Sequence, residues 1–163
     1  MYAKTIILST LIFCLTISCT ISPDFPPEPH LEFKGMNKKI MKQGSLNTDS
    51  LTIYLSFTDG DGDIGQDQTD SIVNLFVIDS RTNKTAESIR LPKISDSGIG
   101  NGVSGDIELK LYTTCCLFTN NIPPCSVIEG IKFDTLTYRI YLVDRAGNKS
   151  EIVETDNIIL ECK

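Results

Sequence analysis

The chain has 163 residues, with 15 Lys and Arg against 21 Asp and Glu, a net charge of −6, one histidine and no tryptophan. An acidic chain without a basic cluster is a poor ligand for nucleic acid or an anionic membrane surface, because affinity there comes from Lys and Arg neutralising phosphates. The length fits one domain with a buried core.

The N-terminal eighteen residues carry one charge, Lys4, and the run from Ile6 to Ile17 is almost wholly apolar or hydroxylated. That is a signal-peptide pattern. About twelve apolar residues are too few for a hydrocarbon core that needs about 20, so cleavage is expected rather than an uncleaved anchor. The run ends in Leu15-Thr16-Ile17-Ser18-Cys19, which resembles the lipobox cut by the lipoprotein signal peptidase, with Thr16 where that motif usually carries Leu. The resemblance implies lipidation of Cys19, a membrane partner through that lipid, and location in the cell envelope at the outer membrane. Residues 19–163 would then hold 14 basic against 21 acidic side chains, a net charge of −7.

Residues 20–30 contain four prolines, a composition that favours extended polyproline structure and reads as a tether. From residue 31 onward period-two alternation dominates and no long stretch has helical spacing, so residues 31–163 are expected to be one all-β domain. The clearest strand is Leu51 to Thr58, with Leu51, Ile53, Leu55 and Phe57 on one face and hydroxylated residues opposite. Thr135 to Asp144 alternates in the same way through Leu136, Tyr138, Ile140 and Leu142. Further strands are expected near 31–36, 72–78, 85–91, 107–112 and 152–162, with 94–105 a loop rich in Gly, Ser and Asn. Seven short strands separated by turn signals suggest a β-sandwich.

Asp59, Asp61, Asp63, Asp67 and Asp70 occupy positions 1, 3, 5, 9 and 12 of a twelve-residue window, and no Lys or Arg occurs between Gln43 and Ser80. Calcium-binding EF-hand loops place their side-chain ligands at this spacing, and carboxylates crowded together are relieved by a hard divalent cation. Calcium is therefore the candidate ion, with Gly60 and Gly62 letting the backbone bend. The loop is not an EF-hand: Ile64 stands where that motif needs Gly, Asp70 where it usually has Glu, and strands flank it. The alternative is that Asp-Gly repeats are ordinary solvated turns. In a seven-strand sandwich the loop after the second strand and the loop before the last share one end, so Asp144 and Asn148 are expected to approach the aspartates.

Beyond Cys19, the cysteines are Cys115, Cys116, Cys125 and Cys162. An exported chain with an even number of thiols is expected to form disulfides, and zinc is disfavoured because no CxxC pair is present and His30 lies far away. The same topology gathers these cysteines at the opposite end. Continuing the inward phase of Ile107, Leu109 and Leu111 puts Cys115 on the buried face, which favours Cys115 with Cys162 and Cys116 with Cys125.

The segment Val143-Asp144-Arg145-Ala146-Gly147-Asn148-Lys149-Ser150 resembles the penultimate hairpin of bacterial immunoglobulin-like and fibronectin-III-like domains, and Phe57 to Gly65 resembles a segment of Bacteroidota-type surface lipoproteins. These resemblances imply an immunoglobulin-like extracytoplasmic module and identify no ligand. The expected role is a non-catalytic surface interaction or accessory module, with an unknown envelope protein or a glycan as partner and no nucleic acid. The alternative is a calcium-stabilised glycan- or protein-binding adhesion domain. Catalysis is not expected, since the single histidine sits in the tether. The lack of Trp weakens a sugar platform, leaving Tyr54 and Tyr141 as outward-facing aromatics.

Overall fold

The computed structural model describes residues 25–67, 69–94 and 102–163; the expected signal peptide, Cys19 and most of the tether lie outside these residues. The described residues are all-β, with ten strands: β1 (His30–Met36), β2 (Ile40–Lys42), β3 (Ser50–Asp59), β4 (Leu75–Asp79), β5 (Lys84–Ile89), β6 (Val103–Tyr112), β7 (Phe133–Leu136), β8 (Tyr138–Leu142), β9 (Val153–Glu154) and β10 (Ile158–Glu161). They form three sheets, ordered β1-β3-β6, β2-β10-β7 and β5-β4-β8-β9. The pairings are antiparallel except β2 with β10, which is parallel.

Alternation along each strand selects what is buried. In β3 it is Leu51, Ile53, Leu55 and Phe57; in β4, Leu75 and Val77; in β8, Tyr138, Ile140 and Leu142. These join Leu31, Met41, Leu109, Leu111, Leu136, Ile158 and Leu160 in one apolar cluster fed by all three sheets. Burial of such side chains contributes about 1.5–3 kcal/mol each, which holds the layers together.

Three expectations need correction at the level of elements. The strand β2 was not anticipated, because three residues are too few to show a period. β6 starts at Val103, so residues 103–105, read as loop, are strand: β3 offers a pairing edge through Asp59, which lies opposite Val103. The segment taken for free tether is seated on the domain from Phe25 onward, with Pro29 buried and His30 opening β1. Nδ1 of His30 lies 2.6 Å from Oε1 of Glu151, which also accepts from the Leu31 N–H.

The register defines two ends. Ser50 of β3 pairs with Tyr112 at one, and Asp59 with Val103 at the other. At the first end, Cys115 is bonded to Cys125 and Cys116 to Cys162, the reverse of the expected pairing. The phase of β6 runs one residue past the strand and then breaks: Leu109, Leu111 and Thr113 are buried, then the chain slips by one and Cys116 is buried instead of Cys115. Cys162 is likewise buried, so the two inner thiols meet.

Candidate metal centre

At each end of the molecule the strand alternation runs past the apolar residues and carries an aspartate to the inner side. In β3 the order Leu51, Ile53, Leu55, Phe57 is completed by Asp59, which is 0% exposed. In β8 the order Tyr138, Ile140, Leu142 is completed two positions on by Asp144, 4% exposed. In β4 the order Leu75, Val77 is completed by Asp79 at the disulfide end. An isolated buried carboxylate is costly unless it is paired or neutralised.

The two ends answer that cost differently. Asp79 meets Arg81, whose Nη2 lies 2.6 Å from its Oδ2 while Nη1 lies 2.6 Å from Oδ2 of Asp134. The guanidinium also donates to the Cys115 carbonyl at 3.1 Å. Burial opposes ionisation of Asp79, yet the hydrogen bonds and charge of Arg81 outweigh it and hold the carboxyl below its usual range. This network, not expected from the sequence, compensates the buried Asp79 at the disulfide end.

At the other end one carboxylate oxygen each of Asp59, Asp61, Asp63 and Asp144 falls within 4.8 Å of all the others. Asp59 accepts from the Asp63 N–H through Oδ2 at 2.8 Å, and Asp63 accepts from the Ala146 N–H through its own Oδ2 at 2.8 Å. The remaining oxygens, Oδ1 of Asp59 and Oδ1 of Asp63, are buried without a hydrogen-bond partner. Burial pushes the Asp59 carboxyl up to about 6; the Asp63 N–H pulls against this, and the charges of Asp61, Asp63 and Asp144 add to the rise. Asp63 is raised too, by burial and then by the charges of Asp144 and Asp61. Both shifts signal that anionic groups lack compensation.

Local turn chemistry positions these carboxylates. Gly62 has φ +73°, a conformation that glycine takes without strain. Asp144 accepts from Asn148 twice, from its N–H at 2.7 Å and from Nδ2 at 2.8 Å, and Gly147 at φ +93° completes that turn. Asn148 is thus brought to the site as a support for Asp144. Arg145 N–H donates to the Asp63 carbonyl at 3.3 Å, tying the two loops together.

Asp67 and Asp70 fall outside the group formed by the other four aspartates. The chain leaves after Asp63 because Ile64, 1% exposed, plugs the core. Gly65 then packs so closely on Pro92 that an added Cβ would lie 2.1 Å from its carbonyl oxygen. Gln66 fixes the exit, its N–H donating to the Leu91 carbonyl and its carbonyl accepting from Lys93. Nη1 of Arg90 donates to the carbonyls of Asp67 and Asp70. The group therefore draws its carboxylates from two loops, with Asp144 joining Asp59, Asp61 and Asp63, and the signal for its buried members is the continued strand phase, not the Asp spacing.

The two outward tyrosines do not form a shared platform. Tyr54 lies on β3 and Tyr141 on β8, in different sheets. Tyr141 instead stacks on Phe76 with ring centroids 4.9 Å apart, and Nζ of Lys149 lies 3.7 Å from its centroid.

Among the described residues no helix is long and apolar enough to cross a membrane. No family model, curated protein or solved structure matches the chain.

Proposed function

We propose that this protein is a non-catalytic, lipid-anchored module of the cell envelope, an immunoglobulin-like β-sandwich whose partner-binding domain is stabilised by calcium at Asp59, Asp61, Asp63 and Asp144. The observation that carries the calcium reading is the pair of buried, unpartnered oxygens in a group of four carboxylates. Calcium takes six to eight oxygen ligands at about 2.3–2.6 Å and suits an all-carboxylate donor set. Four aspartates leave positions for backbone carbonyls or water.

Strand order supports the immunoglobulin-like reading. β7 and β8 are interrupted only at Thr137, β9 and β10 by three residues, and β1 and β2 by three. Taking each pair as one strand reduces ten to seven, with β1, β3 and β6 in one sheet against β5, β4, β8 and β9 in the other, and with the first strand switching, through β2, from β3 to a parallel pairing with the last. The lipid anchor rests on the sequence at Cys19, and location at the outer membrane follows from it. The non-catalytic reading rests on the scarcity of candidate bases: the chain has a single histidine, and the side chain of that His30 is 60% exposed at the start of β1.

Calcium chloride is expected to raise the melting temperature, with chelator reversing it and elemental analysis finding one calcium per chain. An unchanged melting curve and no bound metal overturn the calcium reading. Pull-down from native membranes tests the role: a stoichiometric envelope partner supports the accessory module, whereas a monomer retaining a soluble glycan or protein ligand supports the adhesion alternative. An N-terminus without acyl chains on Cys19 overturns the anchor.

A further inference from the structure

Phe25 and Pro26 are seated directly on the aspartate loop at Gly60, through their backbone. The Gly60 N–H donates to the Pro26 carbonyl at 2.8 Å. A Cβ at Gly60 would lie 2.1 Å from the Phe25 carbonyl oxygen and 2.5 Å from that of Pro26, so only glycine permits the approach. The Phe25 ring covers Gly102, where a Cβ would lie 2.8 Å from Cδ2 of Phe25 and 3.0 Å from the Asp59 carbonyl oxygen. Pro29 is buried further along. The chain entering the domain is thus a strap across the back of the acidic site.

Gly60 stands in sequence between two of the clustered aspartates, Asp59 and Asp61. Any movement of the backbone that carries those carboxylates moves the N–H holding Pro26. Four carboxylates without a counter-ion repel one another and favour a splayed loop, whereas a cation draws them together.

We propose that cation binding at Asp59, Asp61, Asp63 and Asp144 is coupled to seating of the 25–29 strap on Gly60 and Gly102, so that the ion controls how firmly the incoming chain is held. This rests on the calcium reading above. The coupling is reciprocal: the factor by which calcium tightens the strap is the factor by which the strap tightens calcium.

The test uses the full chain in calcium chloride or in excess chelator. It follows amide exchange by mass spectrometry in the peptide covering residues 59–63, which contains the Gly60 N–H held by the Pro26 carbonyl, alongside calorimetric calcium titration. Calcium is expected to slow exchange there about tenfold, a typical coupling factor, and Phe25→Ala to remove most of that slowing. Gly60→Ala and Phe25→Ala are expected to weaken calcium binding by a similar factor with unchanged far-ultraviolet circular dichroism. Should Gly60→Ala fail to fold, the half-buried Phe25 carries the comparison. Calcium binding to the wild type with unchanged exchange, and equal binding by Phe25→Ala, overturns the coupling and leaves the calcium site intact. Absence of calcium binding to the wild type overturns both.

Discussion

A single aspartate decides much of the behaviour of the acidic end. Asp59 is fully buried, its Oδ1 has no partner, and three other carboxylates raise its proton affinity. Asn in its place keeps an oxygen for the Asp63 N–H and removes the charge. In chelator at neutral pH, Asp59→Asn is therefore expected to be more stable than the wild type, by on the order of 1–3 kcal/mol. The same variant should lose the calcium-induced rise in melting temperature, because a metal ligand has gone. Asp67→Asn and Asp70→Asn, outside the group, are expected to keep the full calcium response. Thermal melts of the three variants with and without calcium check this; equal responses from all three would contradict the assignment of ligands. Of the six aspartates singled out from the sequence, spacing alone could not separate these classes, because it is blind to Ile64 diving into the core and turning the chain away.

Among the elements, long alternating runs were legible and short or irregular ones were not. β3 and the β7–β8 stretch stand out because four or more apolar residues repeat at period two, and burial follows that repeat residue by residue. β2 has only Met41 buried and takes its strand character from lying beside β10, a non-local pairing that no local pattern announces. The cysteine pairing was missed for a related reason: extrapolating a period past Tyr112 assumes a ladder, and the ladder ends there. Correct connectivity gives the bonds unequal roles. Cys116–Cys162 spans 46 residues and Cys115–Cys125 spans 10. Restriction of the unfolded chain predicts about 4 kcal/mol for the first and about 3 kcal/mol for the second. Removing the buried pair as Cys116→Ala with Cys162→Ala should also leave an unfilled space in the core, widening the gap. Denaturant titration of the two double variants checks the order, and a larger loss from the Cys115–Cys125 pair would reverse it.

The whole molecule carries buried carboxylates at both ends of one apolar core, and the ends are compensated by different chemistry. Arg81 compensates Asp79 permanently, whereas on the calcium reading the four-aspartate end takes an ion from solution. The two ends accordingly impose opposite pH dependences on the protein in chelator. Asp79 has a folded pKa held below its ordinary value of 3.8; its contribution is complete above that value and is lost as pH falls through the folded pKa. Asp59 has a folded pKa of about 6, above 3.8, so the folded state holds its proton more tightly than the unfolded chain does. That contribution is present in acid and is lost as pH rises from about 4 through about 6, with Asp63 acting in the same direction. Stability without metal is thus expected to peak near pH 4 and to fall toward neutrality. Calcium competes with protons for the same oxygens and binds only when they are ionised, so saturating calcium should remove the decline above pH 4 and move the optimum to neutral pH. Denaturant midpoints from pH 3 to 8, in chelator and in calcium, check both limbs. A metal-free profile that rises steadily to pH 7 would mean that the acidic end is already neutralised within the protein, and that the ion has no charge left to balance.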